Sequence, residues 1–316
     1  MGRVDWLRLP GDFGQLLPSL RELTFHGTLD YTFACSEIVL PRTLTTLALL
    51  ESLTIFHCSG ISRLPEGFGN LRALQTLVLR KLSLSDLPDS IVQLSALKTL
   101  VLHTLPLSRL PDSVCQLPSL KILDCCSSRN QGTFQLPEAF CCLTALQTLC
   151  IARMPQLRLP AGIGNLFNLQ TFFLDRLLQQ LQLPATFTRL SSLTRLELSG
   201  CMLQELPESL GNLTNLQELH VYSCPALLKL PESLTRLSSL EILIVENCRR
   251  LTFIPRSLEK IRKLKLLEST KGNGHGIVDL ADISVLPKLR KLTLARPVIK
   301  DPPHWCEKNA WLSCEK

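Results

Sequence analysis

A Leu-Pro or Ile-Pro pair divides this chain into segments of nearly equal length. The prolines are 23 to 26 residues apart, and between them apolar residues recur at fixed positions. In one copy these positions are Leu190, Leu193, Leu196, Leu198, Cys201, Leu203 and Leu206. The prolines are Pro41, Pro65, Pro88, Pro111, Pro137, Pro160, Pro184, Pro207, Pro231 and Pro255. A repeat of this length, sustained over most of the chain, indicates a stacked array of similar units.

Each unit predicts one strand and one short helix. Leu196-Glu197-Leu198 alternates apolar and polar residues, which is typical of a short strand with one buried face. The cysteine three positions further on is expected to turn into the core. Proline suits the first position of a helix, and acidic residues after it favour the positive end of the helix dipole. Stacked copies would form a parallel sheet on a concave side, with short helices on the convex side.

The full pattern, L-x-x-L-x-x-L-x-L-x-x-C-x-x-L-x-x-L-P, resembles the leucine-rich repeat over roughly residues 17–300. The resemblance implies an α/β fold, a horseshoe-shaped solenoid with a parallel concave sheet and short convex helices. We predict an array of eleven to twelve repeats over residues 1–300 and a C-terminal cap or tail over 301–316. In that tail Trp305 and Trp311 would cover the last open core layer.

A narrower resemblance rests on the segment from Leu206 to Leu251. The run C-x-x-L-x-x-L-P-E-S-L, Cys224 to Leu234, and the irregular periods resemble the repeats of plant intracellular nucleotide-binding disease-resistance proteins. The resemblance implies a repeat region that senses a pathogen molecule or a guarded host protein and restrains a nucleotide-binding domain. The chain itself lacks that switch, so the resemblance implies the repeat region of such a receptor or a truncated relative of one. The alternative is a free-standing intracellular scaffold of the Ras-group type.

The thirteen cysteines bear on the compartment. Their number is odd, no Cys-x-x-Cys pair occurs, and most stand at apolar positions of the repeat. The N-terminus does not resemble a signal peptide, and no apolar run approaches the roughly 18 residues of a membrane span. We therefore expect reduced core thiols in a cytoplasmic or nuclear protein.

Charge is concentrated near the C-terminus. The chain has a net charge of +7, and thirteen basic residues but four acidic ones lie between Arg249 and Lys300. A solvated convex face is the favoured explanation, ahead of contact with nucleic acid, phosphoinositide or an acidic protein. Two polar segments, 28–37 and 127–133, predict longer loops that could mark binding surfaces or be neutral.

No motif for catalysis or cofactor binding occurs. The sequence has no P-loop, no G-x-G-x-x-G, no G-x-S-x-G and no H-E-x-x-H. We therefore predict a protein that is not an enzyme and has no cofactor, metal or small-molecule substrate. Binding of another protein is the expected function, and nucleic acid is not an expected partner.

Residues that flank the inward positions of each strand should point out from the concave sheet. About eleven strands spaced about 4.8 Å apart make a surface roughly 50 Å long, which suits a protein partner. Apolar residues such as Val101 and Ile244 are expected to be exposed there. The densest mixture of rings and charges predicts the binding site; the alternative is a row of solvated strand residues. This candidate site comprises Phe173, Asp175, Arg195, Glu197, Glu218, His220, Tyr222, Ile244 and Glu246.

Overall fold

The computed structural model describes residues 11–27, 40–58, 60–127, 134–154, 156–177 and 182–251, and the backbone of two strands beyond them. The chain forms two compact units, Met1–Met154 and Pro155–Lys316. The proposed cap at 301–316, the whole segment 28–37, most of the segment 127–133 and most of the basic segment lie outside the described residues. The division into an array and a tail therefore stays a prediction.

Both units are built from five-residue strands that pair in parallel with their neighbours in sequence. The first unit contains β1 Glu22–His26, β2 Ser52–Phe56, β3 Thr76–Arg80, β4 Thr99–His103, β5 Ile122–Cys126 and β6 Thr148–Ala152. The second contains β7 Thr171–Asp175, β8 Arg195–Ser199, β9 Glu218–Tyr222, β10 Ile242–Glu246, β11 Leu266–Thr270 and β12 Lys291–Ala295.

The register puts like residues beside like residues in successive repeats. Leu196 on β8 pairs with Leu219 on β9, which pairs with Leu243 on β10, and all three are fully buried. Full burial of one such side chain contributes about 1.5–3 kcal/mol to the free energy of folding. A single repeat cannot bury its leucines alone, so the burial depends on the stacking of neighbouring repeats. The predicted alternation and the predicted fold class, a leucine-rich-repeat solenoid, are confirmed.

The connecting helices are shorter and tighter than α-helices. After one α-helical turn at Phe13–Leu16, the described helices are all of the 3₁₀ type, in agreement with their length of three to five residues. They span Arg42–Thr46, Phe68–Asn70, Asp89–Gln93, Val114–Gln116, Glu138–Cys142, Ile163–Asn165, Ala185–Arg189, Glu208–Asn212 and Glu232–Arg236. None of the helices in the described ranges is long and apolar enough to cross a bilayer.

The predicted position of the proline is wrong by one residue. Pro207 precedes the helix, with φ −66° and ψ 143°, and Glu208 is the first helical residue. The proline ring accepts this φ in an extended backbone as readily as in a helix, so the chain stays extended up to Pro207 and turns after it. Pro88, Pro137 and Pro231 behave in the same way.

A left-handed residue follows most of the described strands. Arg176, Ser223 and Asn247 have φ between 50° and 54°, a region that costs a residue with a side chain about 1–2 kcal/mol. The conformation lets the amide of Ser223 donate to the carbonyl of Glu246 at 2.8 Å, which extends the ladder one step beyond the strand. The energy of this backbone hydrogen bond offsets the cost of the left-handed backbone conformation.

The cysteines after the strands are core residues, as predicted. Cys201, Cys224 and Cys248 are buried, and each thiol lies 3.4 Å from the carbonyl oxygen two residues before it. Seven of the ten described cysteines are buried, whereas Cys142 is exposed. A cysteine fits this turn because its side chain is small and apolar and can also donate weakly to a buried carbonyl.

The buried thiols should resist alkylation. The neighbouring thiol of Cys201, with burial as a further cause, raises the pKa of Cys224 from 9.0 to about 12, and burial does the same for Cys115. Since the thiolate is the nucleophile, we expect iodoacetamide at pH 8 to modify Cys142 while Cys115 and Cys224 stay unmodified in the folded chain. Mass spectrometry of peptides from native and denatured samples measures this.

The same raised thiol pKa values predict that the folded protein becomes less stable at alkaline pH. Above pH 9 the unfolded thiols ionise while the folded ones stay protonated, so the free energy of unfolding should fall as the pH rises from 9 to 12. Modification of Cys224 as fast as Cys142 at pH 8 would contradict the burial on which this prediction rests.

Candidate partner-binding face of the second unit

The candidate site lies on one surface, the side of β7–β10 opposite the leucine core, which we call the outer face. Strand register sets its rows. Phe173 on β7, Glu197 on β8, His220 on β9 and Ile244 on β10 form the central row across the four strands. The flanking rows carry Arg195 and Glu218 on one side and Asp175, Ser199, Tyr222 and Glu246 on the other.

Arg195 links three of these strands. Its guanidinium carbon lies 5.2 Å from the centre of the Phe173 ring, within the range of a cation–π interaction. One guanidinium nitrogen is 3.2 Å from Oε2 of Glu197, and the other is 3.1 Å from Oε2 of Glu218. The planar fork of arginine suits this double contact, and the two ion pairs hold both carboxylates in place.

His220 occupies the space between the same two carboxylates. Its Nδ1 is 3.9 Å from Oε2 of Glu197 and its Nε2 is 3.5 Å from Oε2 of Glu218. The hydroxyl of Tyr222 lies 3.3 Å from Nδ1, and the two rings meet edge to face with centres 5.8 Å apart. These contacts bring two rings and two carboxylates together at the centre of the outer face.

The other predicted residues lie at the edges of this network. Asp175 is 3.8 Å from the guanidinium of Arg176, the residue that follows β7. Ile244 and Glu246 are in register with His220 and Tyr222 on the next strand. Arg176 was not among the predicted site residues, and its position directly after a strand that carries a predicted residue is the signal that could have identified it.

The predicted exposure of the central row is wrong in part. His220 is 7% exposed, and Val101 and Ile244 are each 8% exposed, although all three lie on the outward side of their strands. Neighbouring parallel strands lie about 4.8 Å apart, so longer side chains on the strands beside a central residue cover it. The solvent-accessible part of this surface is therefore formed mainly by half-buried residues around His220, such as Glu197, Glu218 and Tyr222.

In the first unit, the side of the strands opposite the leucine core differs in chemistry from the outer face of β7–β10. Its central row contains Thr54, Val78, Val101, Asp124 and Cys150. Its one described ion pair joins Nε2 of His103 to Asp124 at 2.9 Å. Rings also meet in the first unit, where the Phe56 ring lies 4.9 Å from that of His26 and 5.8 Å from Nζ of Lys81. The linked ion pairs around Arg195 are therefore what distinguishes β7–β10.

The outer face of β7–β10 suits recognition by shape and charge. Rings, carboxylates and a guanidinium stand together, as at the centres of protein interfaces. Within the described residues, no three His, Cys, Asp or Glu side chains are arranged to hold a metal ion.

Comparison with protein families agrees with the repeat pattern. Residues 10–153 match the family described as a leucine-rich repeat region, and residues 192–213 match the leucine-rich repeat. The comparison with curated protein sequences returns no match.

Solved structures share the fold. A leucine-rich-repeat protein of Leptospira interrogans is 25% identical, with a TM-score of 0.53 over 90% of this chain and 86% of that one. The leucine-rich-repeat domain of the type III effector XopL is also 25% identical, with a TM-score of 0.53 over 66% of this chain and 73% of its own. The Arabidopsis receptor kinase HAESA, in complex with the peptide hormone IDA and the co-receptor SERK1, is 20% identical, with a TM-score of 0.51 over 83% and 56%.

Proposed function

We propose that this chain is a protein-recognition module that binds its partner on the outer face of β7–β10. The observation that carries the proposal is the network around Arg195, which joins a ring, two carboxylates and His220 across three strands. Rigid rings and charge-assisted contacts are the features that concentrate binding energy at interfaces.

Two further observations support recognition as the activity. The chain has the solenoid fold of HAESA, whose structure contains a peptide hormone and a protein co-receptor. The strands also offer an ordered surface wider than a metabolite requires, since four strands already span about 15 Å. A polypeptide partner is therefore favoured over a small molecule.

We also propose a more specific role, the sensing and autoinhibitory repeat region of an intracellular immune receptor. This role rests on the resemblance of the Cys224–Leu234 run to plant disease-resistance proteins. The gene region upstream of the Met1 codon tests it. An in-frame P-loop ATPase domain there would support the receptor role, whereas the absence of such a domain would count against it and favour the free-standing scaffold.

The binding test uses Tyr222→Ala. We expect this substitution to weaken binding by about 1–3 kcal/mol, because it removes a large ring next to the ordered His220 and leaves the leucine core intact. Proteins captured from source tissue by the full chain would be identified by mass spectrometry, and the dominant partner would then be titrated by calorimetry against each variant.

Phe167→Ala is the matched control. Phe167 is also in the second unit and is 51% exposed, but it lies in the turn between the helix Ile163–Asn165 and β7, away from the outer face. Its removal should change the affinity by only a few tenths of a kcal/mol. Equal losses from the two variants would place recognition elsewhere, such as in the 127–133 segment or the basic C-terminal segment.

A further inference from the structure

The charges on the outer face of β7–β10 point to the chemistry of the partner. We propose that the partner presents a basic polypeptide segment, with lysine or arginine side chains that meet the carboxylates of Glu197 and Glu218. The inference rests on the proposed function, because it names the partner class for the same surface.

Acidic groups outnumber basic ones on this face. The outward residues of β7–β10 include the four carboxylates of Asp175, Glu197, Glu218 and Glu246 and the single guanidinium of Arg195. A second cation, Arg176, stands at the rim beside Asp175. The outward positions of the four strands therefore carry more acidic than basic side chains, although the whole chain carries a net charge of +7.

The internal contacts leave acceptor capacity on the two central carboxylates. Across the described part of the chain, Glu197 and Glu218 contact Arg195 and His220 through Oε2. Each carboxylate has a second oxygen, Oε1, that can accept a hydrogen bond from an ammonium or guanidinium group. Their side chains are 25% and 32% exposed, so a partner side chain can reach them.

Arg195 holds these two carboxylates in position through Oε2 of each and leaves Oε1 available. A fixed carboxylate loses little side-chain entropy when a cation binds, and partial burial strengthens the ionic hydrogen bond relative to one in water. Apolar contact is available alongside, since Tyr222 and Ile242 on the neighbouring strands are half-buried. A lysine or arginine stem can pack on such residues while its charged end reaches the acids.

The test compares peptides of opposite charge. Fluorescent twelve-residue peptides of alternating Lys-Ser or Glu-Ser are titrated against the full chain by anisotropy at low and moderate salt. We expect the Lys-Ser peptide to bind, and to bind more weakly as salt rises, although the net charge of the chain repels it. Absence of Lys-Ser binding would overturn the inference.

Neutral variants assign that binding to the face. Glu197→Gln with Glu218→Gln should lower Lys-Ser affinity about tenfold, the equivalent of one lost charge-assisted contact. The control, Glu66→Gln with Glu205→Gln, makes the same net charge change at two exposed ion pairs, with Arg42 and Lys229. It should change the affinity less than twofold. Equal losses from both double variants would show that only net charge matters and would overturn the inference.

A charge reversal distinguishes loss of the binding site from loss of the fold. Glu197→Lys with Glu218→Lys should lose Lys-Ser binding and gain Glu-Ser binding, an exchange that unfolding cannot produce. If Lys-Ser does not bind but Tyr222→Ala weakens binding of the natural partner, the charge assignment fails and the proposed function stands. If Tyr222→Ala leaves capture unchanged, the proposed function itself fails.

Discussion

Replacement of Phe187 by alanine is expected to lower the free energy of unfolding of the second unit by about 3–5 kcal/mol. Phe187 lies in the helix Ala185–Arg189 and is fully buried, with its ring centre 5.8 Å from that of Phe172 on β7. Alanine would remove the ring between the helix and the sheet. It would leave a cavity that the neighbouring repeats cannot fill without moving. Chemical denaturation followed by circular dichroism measures the loss.

The matched control for this prediction is again Phe167→Ala. It removes the same atoms from a ring that is 51% exposed, so the expected change is within about 0.5 kcal/mol. Hydrogen exchange should show the effect of Phe187→Ala concentrated in β7, β8 and their helices, since repeats contact mainly their neighbours. Similar destabilisation by both variants would contradict the packing described for Phe187.

Gly211→Ala is expected to destabilise the chain by about 3 kcal/mol, although alanine normally favours a helix over glycine by up to about 1 kcal/mol. The reason is the close approach of two 3₁₀ helices. A Cβ atom at position 211 would lie 2.3 Å from the carbonyl oxygen of Ser233 and 2.7 Å from its Cβ atom. The amide of Gly211 also donates to Oγ of Ser233 at 3.3 Å, so the helices would have to separate.

Gly11→Ala provides the control, because no atom lies within 4 Å of a Cβ built there. We expect it to change stability by no more than about 0.5 kcal/mol. Gly69→Ala and Gly164→Ala should behave like Gly211→Ala, since a Cβ at either position would lie 2.1 Å from a carbonyl oxygen of the next helix. A stabilising effect of Gly211→Ala would show that helix propensity outweighs the steric clash between neighbouring 3₁₀ helices.

Sequence periodicity was sufficient for the architecture. The spacing of the prolines and the L-x-L alternation identified the repeat, the parallel strands, their inward residues and the buried cysteines. These features follow from local chain geometry, since a strand exposes alternate residues to one side and every copy must bury the same face. The residues on the outer face of β7–β10 could be named for the same reason.

One layer of the core was missed in the sequence. The third residue after most of the prolines packs against the sheet, and three of the four largest fully buried side chains, Phe68, Phe140 and Phe187, occupy this position. The pattern P-x-x-apolar repeats with the prolines and could have revealed it. It is harder to recognise than the strand pattern because leucine, isoleucine, valine and phenylalanine alternate there, and a 3₁₀ helix of one turn has little periodicity of its own.

Sequence alone determined which residues of this protein lie on the strands and which side of the sheet they face. Only the tertiary structure decided that Arg195 joins Phe173 to two carboxylates, that His220 is covered by its neighbours, and that Gly211 touches the next helix. Apart from the pair Arg195–Glu197 on one strand, the contacts of Arg195 and Gly211 join residues in neighbouring repeats, 22 or 23 positions apart in sequence. They depend on distances of a few ångströms between packed repeats. Local alternation carries no information about such distances, because they are set by how neighbouring side chains fill the space between coils.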